Sequence, residues 1–440
     1  MDTIPQVSEA LQEIMGEVAD TAARHTGFVQ RESKMGGSAF ARTLTFGWMN
    51  EPDATLEELA QMASVSGVEI SAQGLDQRFT PEAADFMREM LAAGVAQVIA
   101  VDPVAIPLLQ RFNGVFVQDS TVIPLPAALA DEWTGCGNRV PGHEAALKVQ
   151  VRLDMSKGGL EGPVLQDGRA HDRTSPLQAV PLPAGALQLA DLGYFSLDKL
   201  QEQDAANVYW LSRLQVQTAV FDENGQRWEL LELLEEQGTG EIDIPIRVGA
   251  KHQLSCRLLA ARVPQEMADQ RRRRLRDEAR KRGQTVSQRR LKLASWTFYI
   301  TNVPADVLTL REAWVLARAR WQIELLLKLW KRHGHIDEWR RKKPWRILCE
   351  VYAKLLAMVI QHWLLVISCW RFPNRSLVKA VQTVRKHVVH LVCHLNSKQV
   401  LCEAITTLQR CLAAGCRINK RKTAPHCYQL LLDPDLGGLA

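Results

Sequence analysis

The strongest constraint on the fold lies between residues 112 and 221, where short apolar segments alternate with turn residues instead of following a helical period. FNGVFVQDST (112–121) reads as a short apolar strand that ends on a carboxylate. ALKVQVRLD (146–154) alternates apolar and polar residues, then meets the turn MSKGG and the stretch LEGPVLQ, which predicts a β-hairpin. LQLADLGYF (187–195) is another short strand ending on Asp, followed by a helix start at SLDKLQEQ, and NVYWLSRLQVQTAVF (207–221) returns to strand. Antiparallel-looking strands followed by strand–helix–strand imply a mixed sheet with helices, an α/β fold.

The flanks read as helical. TLEELAQMA (55–63) opens with Thr55 as N-cap and Glu58 three residues on, a capping box, and Ser71 can cap a second short helix, AQGLDQRF. Two short helices about a turn resemble a helix-turn-helix, with Gln73, Gln77 and Arg78 as base- or phosphate-facing candidates; plain helical packing is the alternative. Residues 214–296 look like an insert, strand-rich through RWELLELL, EIDIPIRVGA and HQLSCRLLAARV and then basic. WTFYITNVP (296–304) is an aromatic strand leading to the helical stretch ARARWQIELLLKLWKRH (317–333), and residues 344–416 are mostly helical. The apolar run 355–370 holds Gln361 and His362 and falls short of the ~18 residues a membrane span needs, so it predicts a buried helix. The expected division is a helical DNA-binding region over 1–105, a mixed-sheet core over 106–213 and 297–365, the insert over 214–296, and a helical C-terminal region over 366–440.

Charge is distributed unevenly. The net charge is only +5, yet between Arg271 and Lys292 eleven residues are Lys or Arg and two are acidic. Arg271, Arg272, Arg273 and Arg274 begin that run, and a second basic cluster spans Lys328 to Arg346. Either cluster alone fits a solvated helix face. Two of them on either side of a candidate carboxylate point to a polyanion, and nucleic acid fits best. Nine cysteines with no visible N-terminal signal predict reduced thiols and a cytoplasmic setting. Cys393, His394, Cys402, Cys411, Cys416, His426 and Cys427 lack a Cys-x-x-Cys pair, and several fall on apolar helical stretches, so buried thiols are expected there instead of zinc ligands.

Three carboxylates stand out. Asp119 and Asp191 end two different short strands, and Glu324 lies on a helix far downstream. Strand ends facing one crevice are where open α/β sheets place ligands, and three carboxylates there would hold hard divalent cations such as Mg²⁺. Arg320, Glu324, Lys328 and Lys331 follow spacings of four, four and three, so they share one helix face, and the cations could hold phosphates beside the metal. The plainer alternative is turn aspartates, with Asp102, Asp131, Asp154, Asp167 and Asp172 as equals, and an exposed Glu324 paired with Arg320 and Lys328. Periodicity does not choose between these.

The residues also carry a resemblance. Arg320, Glu324 and Lys331 match three of the four positions of the Tyr, two residues, Arg, three residues, Glu, six residues, Lys signature of DDE transposases of the bacterial insertion-sequence-four family. DST after an apolar strand resembles the family's first catalytic Asp motif and ADLGYF the second, and the separations suit it over roughly residues 30–370. The resemblance implies a ribonuclease H-like core with a β-rich insertion. Asp119, Asp191 and Glu324 become the catalytic metal ligands for Mg²⁺, with Mn²⁺ as a substitute. The partners implied are double-stranded DNA, both the element's terminal inverted repeats and a target, with a homodimer pairing the ends. It implies cut-and-paste transposition through a hairpin at the element end. Trp321 matches an aromatic found in relatives, and Trp296 lies within one residue of a Trp that in some relatives receives a flipped base; a strand-end core aromatic is the alternative. One departure is Ala317, where the family has Tyr. That position keeps open a decayed copy that only binds DNA.

Overall fold

Strand β1 (Val115–Leu125) runs six residues past Asp119, the carboxylate at which the sequence suggested it would end. The segment TVIPL carries the β-branched Thr121, Val122 and Ile123, which keep the backbone extended. The computed structural model describes residues 3–31, 33–137, 144–238, 240–372, 374–419 and 425–436. They fall into two units: Met1–Ala105, Asp119–Ala179 and Gln322–Lys420 form the first, and Ile106–Gln118, Val180–Trp321 and Arg421–Ala440 the second.

In the first unit β1 is followed by the expected hairpin, β2 (Ala145–Asp154) and β3 (Leu160–Asp167), antiparallel and in the order β3-β2-β1. Every residue of β2 is buried, although its sequence alternates. The strand lies between two neighbours with both faces covered, so Lys148, Gln150 and Arg152 must find partners inside. The helix Pro344–Leu365 is the centre of this unit: twenty of its residues are buried, and it packs on the helices Gly37–Asn50 and Pro81–Ala96. It is the one helix among the described residues long and apolar enough to cross a membrane, and its apolar window is wholly buried inside the protein. The Thr55–Glu58 capping box is present in full, with the Thr55 amide donating to Glu58 over 2.7 Å and the Glu58 amide to Thr55 Oγ1 over 3.2 Å. Ser71 caps the next helix as expected, but that helix is only Ala72–Asp76.

The second unit holds the first residues of β1 beside β4 (Leu187–Ala190) and β5 (Tyr209–Ser212), all parallel, with the helix Leu197–Ala205 as the crossover between β4 and β5. The order continues through β10 (Trp296–Thr301), β9 (Leu254–Arg262), β8 (Glu241–Val248), β6 (Val220–Phe221) and β7 (Arg227–Trp228), all antiparallel. Trp210, Leu234, Val248, Leu258 and Ile300 are the fully buried centre of its core. The strand expected over 207–221 is broken after Ser212. RWELLELL is not a strand beyond Trp228 but the helix Leu230–Glu236. Its leucines at 230, 231, 233 and 234 are all buried, a helical spacing that a strand would split between two faces.

Candidate active site

Asp119 sits half-buried within β1, and its Oδ1 accepts the Ser120 amide at 2.8 Å. The Ser120 hydroxyl turns away and donates to Asp172 Oδ1, also at 2.8 Å. Glu324 lies in the first turn of the helix Trp321–Gly334, with Ile323, Leu326, Leu327 and Trp330 of that helix buried. Lys328, one turn on, places Nζ 3.9 Å from the Glu324 carboxylate and is largely exposed. Lys331 reaches β1 instead: Nζ donates to the Val122 carbonyl at 2.9 Å and lies 3.3 Å from Asp337. The helix bearing Glu324 is thereby tied to the strand bearing Asp119, and Lys331 is engaged within the protein.

In the second unit Asp191 follows directly on β4, as expected, and starts the short turn Leu192–Tyr194. Two guanidiniums flank it, Arg213 Nε and Arg320 Nη1, each at 3.9 Å. Arg320, read from the sequence as a phosphate contact, is therefore turned toward a carboxylate. It also marks the break between the helices Leu310–Ala319 and Trp321–Gly334, where one continuous helix was expected. Arg213 was not among the residues expected at the site.

The donor set suits a hard cation. Asp119, Asp191 and Glu324 offer only carboxylate oxygens and none is fully buried, the chemistry that Mg²⁺ or Mn²⁺ takes. Among the described residues, the one group of three candidate ligands whose donor atoms all lie within 4.8 Å of one another is a different set: Asp53, His335 and Glu338. Burial pushes the Asp53 carboxyl up, but the hydrogen bond and charge of His335, with Lys354 and Arg340, hold it below its ordinary value. With those cations beside it, the cluster reads as an ion-pair cluster.

Residues 110–360, which include all three carboxylates, match the family model of the transposase DDE domain. The chain belongs to this family of DDE transposases. Its relatives include the transposase for insertion sequence element IS231F of Bacillus thuringiensis subsp. israelensis, 26% identical over 95% of this chain and 92% of the relative. The transposase for IS231C of Bacillus thuringiensis subsp. berliner is 26% identical over 82% and 79%. The transposase for IS1151 of Clostridium perfringens is 25% identical over 82% of this chain and 79% of that one. The family implies DNA as partner and use of a divalent metal.

The residues expected to grip DNA divide into two sets in this transposase. Trp296 is 4% exposed, part of the second unit's core, with Arg262 over its ring at 4.9 Å; it is placed as a core aromatic and its ring is not open to a base. Trp321, by contrast, is 46% exposed. Arg271 and Arg272 on the helix Gln265–Lys281 fasten that helix down: Arg271 donates to the Trp296 carbonyl and to Thr297 Oγ1, both at 3.0 Å, and Arg272 donates to the Leu291 carbonyl at 3.1 Å. Burial, with Arg213 adding to it, lowers the pKa of the Arg271 guanidinium. Arg273 and Arg274 are exposed. Gln73 is exposed, whereas Arg78 donates to Ser33 Oγ at 2.8 Å and lies over the Phe28 ring, a packing role within the helical region. Ala317 is half-buried, and Trp314 nearby packs edge-on to Tyr299 at 5.5 Å between ring centroids.

Proposed function

We propose that this chain is a cut-and-paste transposase with a ribonuclease H-like core, in which Asp119, Asp191 and Glu324 form one catalytic site. The proposed core covers 106–213 and 297–365, with an insertion over 214–296, a DNA-binding helical region over 1–105 and helices over 366–440. The observation that supports the site best is a register: Val117 pairs with Leu189 in parallel strands, and Asp119 and Asp191 each stand two residues further along their chains. Mg²⁺, or Mn²⁺ in its place, would be held by the three carboxylates and would supply Lewis-acid stabilisation of the phosphoryl oxygens and a more acidic nucleophile.

The side chains then have separate tasks. Lys328, exposed beside Glu324, meets backbone phosphate, and the Arg273–Arg274 face of the insertion adds further phosphate contacts. Exposed Trp321 offers a stacking surface for an unpaired base at the element end. Water attacks phosphorus and the bond to the 3′ oxygen breaks, leaving a 3′-hydroxyl on the element. That hydroxyl attacks phosphorus in the opposite strand, forming the hairpin and releasing the flanking DNA with its own 3′-hydroxyl; water then opens the hairpin, and the regenerated 3′-hydroxyl attacks phosphorus in target DNA, displacing a target 3′ oxygen. No bond to the protein forms. A homodimer holds the two terminal inverted repeats together.

The test is excision from a plasmid carrying this gene with its native flanks, using purified protein and Mg²⁺ or Mn²⁺. Wild type should excise only with metal, and Asp119→Asn, Asp191→Asn and Glu324→Gln should each abolish cleavage while keeping binding to the flanks. Cleavage retained in one of these variants removes that residue from the site. Binding without cleavage by wild type would favour the DNA-binding-only reading that Ala317 keeps open, with Ala317→Tyr as the next variant.

A further inference from the structure

Asp172 was indistinguishable from its neighbours in sequence, yet it is the hub of a polar network behind Asp119. Its Oδ1 receives three donors: Ser120 Oγ at 2.8 Å, Lys148 Nζ at 3.1 Å and Gln150 Nε2 at 3.3 Å. Lys148 and Gln150 belong to β2, 8% and 0% exposed, and Lys148 also donates to the Ala170 carbonyl. A buried ammonium needs a counter-charge, and Asp172 is the carboxylate that supplies it. The network passes through Ser120 to its own amide, which holds Asp119 Oδ1 at 2.8 Å. A fixed carboxylate thus restrains the hydroxyl of the residue whose N–H orients the proposed metal ligand.

We infer that Asp172, held by Lys148 and Gln150, is a positioning residue that acts through Ser120 to fix Asp119 for metal binding. This rests on the proposed role of Asp119. Second partners of this kind set the orientation of a ligating carboxylate, and their loss costs about 10-fold to 100-fold in metal affinity. A merely structural Asp172 would change folding stability and leave metal affinity alone.

The experiment is Mn²⁺ binding to the full chain without DNA, followed by electron paramagnetic resonance, for wild type, Asp119→Asn, Asp172→Asn, Ser120→Ala and Ser120→Thr. Asp119→Asn should lose the site. Ser120→Ala and Asp172→Asn should weaken Mn²⁺ about 10-fold, and Ser120→Thr, which keeps the hydroxyl, should bind as wild type. In cleavage, Ser120→Ala should need more Mn²⁺ for half-maximal rate and recover near saturation. If Asp172→Asn does not fold, Ser120→Ala with its Thr rescue decides alone. Wild-type affinity in Ser120→Ala beside a loss in Asp119→Asn overturns the inference and leaves the active-site reading standing. Unchanged affinity in Asp119→Asn overturns both.

Discussion

Lys354→Met should be among the most damaging single substitutions in this chain. Lys354 is 1% exposed on the helix Pro344–Leu365, and its ammonium is fully used. It pairs with Glu350 at 2.8 Å and donates to the carbonyls of Glu338 at 2.8 Å and His335 at 3.1 Å. His335 has φ +46°, a left-handed backbone that side chains disfavour, so this turn after the Glu324 helix depends on being held. Met keeps the length and removes the charge. Glu350, itself 3% exposed, is left as a buried carboxylate without its cation, and two carbonyls lose a donor. Breaking a buried pair from one side costs about 3–5 kcal/mol.

The same substitution should also make stability depend on pH with a definite sign. Burial already pushes the Glu350 carboxyl above its ordinary value against the pull of Lys354. Without Lys354 it rises further. The unfolded chain then gives up this proton near the ordinary carboxyl value while the folded chain keeps it, so stability of the variant falls as pH rises above that value. Urea unfolding at pH 5 and pH 7.5, followed by circular dichroism, reads both effects, and Glu350→Gln in the same chain should recover part of the loss. A loss under about 1 kcal/mol, or one with the same size at both pH values, would refute the reasoning.

Two other outcomes follow from the geometry. His362 is buried and its Nε2 contacts the Gly158 carbonyl at 2.8 Å; burial lowers its pKa to about 4, against an ordinary 6.5. The unfolded state therefore takes up a proton first, and stability should be lost as pH falls from 6.5 towards 4, by about 3 kcal/mol at the lower end; His362→Gln should flatten that slope in urea titrations. On the helix Gln265–Lys281, Arg273→Ala with Arg274→Ala should weaken DNA binding and reduce the slope of log affinity against log salt by about 1.8, whereas Arg271→Ala should leave the slope alone and lower stability by about 1 kcal/mol; a salt titration of binding separates them.

What the sequence disclosed was mostly local. The Thr55–Glu58 box, the Ser71 cap and the β2–β3 hairpin each depend on residues within a few positions, and all three are present. RWELLELL misled because Trp and Leu suit strands as well as helices, and the spacing of Leu230, Leu231, Leu233 and Leu234 was the better signal. The alternation in β2 implied an open polar face; that Lys148, Gln150 and Arg152 are buried follows from what covers the strand, which no window along the chain contains. Asp172 could not be told from Asp154 or Asp167 because its partner Ser120 is 52 residues away. Trp296 carried two readings of equal merit, and the packing of β10 decided for the core.

The stripe of Arg320, Glu324, Lys328 and Lys331 shows how far spacing alone goes. Periodicity correctly put Glu324, Lys328 and Lys331 on one amphipathic helix, though not Arg320, and it suggested cations standing free for phosphate. In the structure each has a protein partner: Arg320 faces Asp191, Lys328 faces Glu324, and Lys331 holds the Val122 carbonyl. Arg213 joins Arg320 at Asp191, and Lys148 does the same for Asp172. Carboxylates needed for chemistry repel one another and resist desolvation when no cation is bound. A chain that must fold before it meets metal or DNA has to supply such charges itself, as Arg213 and Arg320 do at Asp191, Lys328 at Glu324 and Lys148 at Asp172. The basic residues around the proposed site thus serve the folded protein first, and only those left exposed, Lys328 among them, are placed to serve the nucleic acid as well.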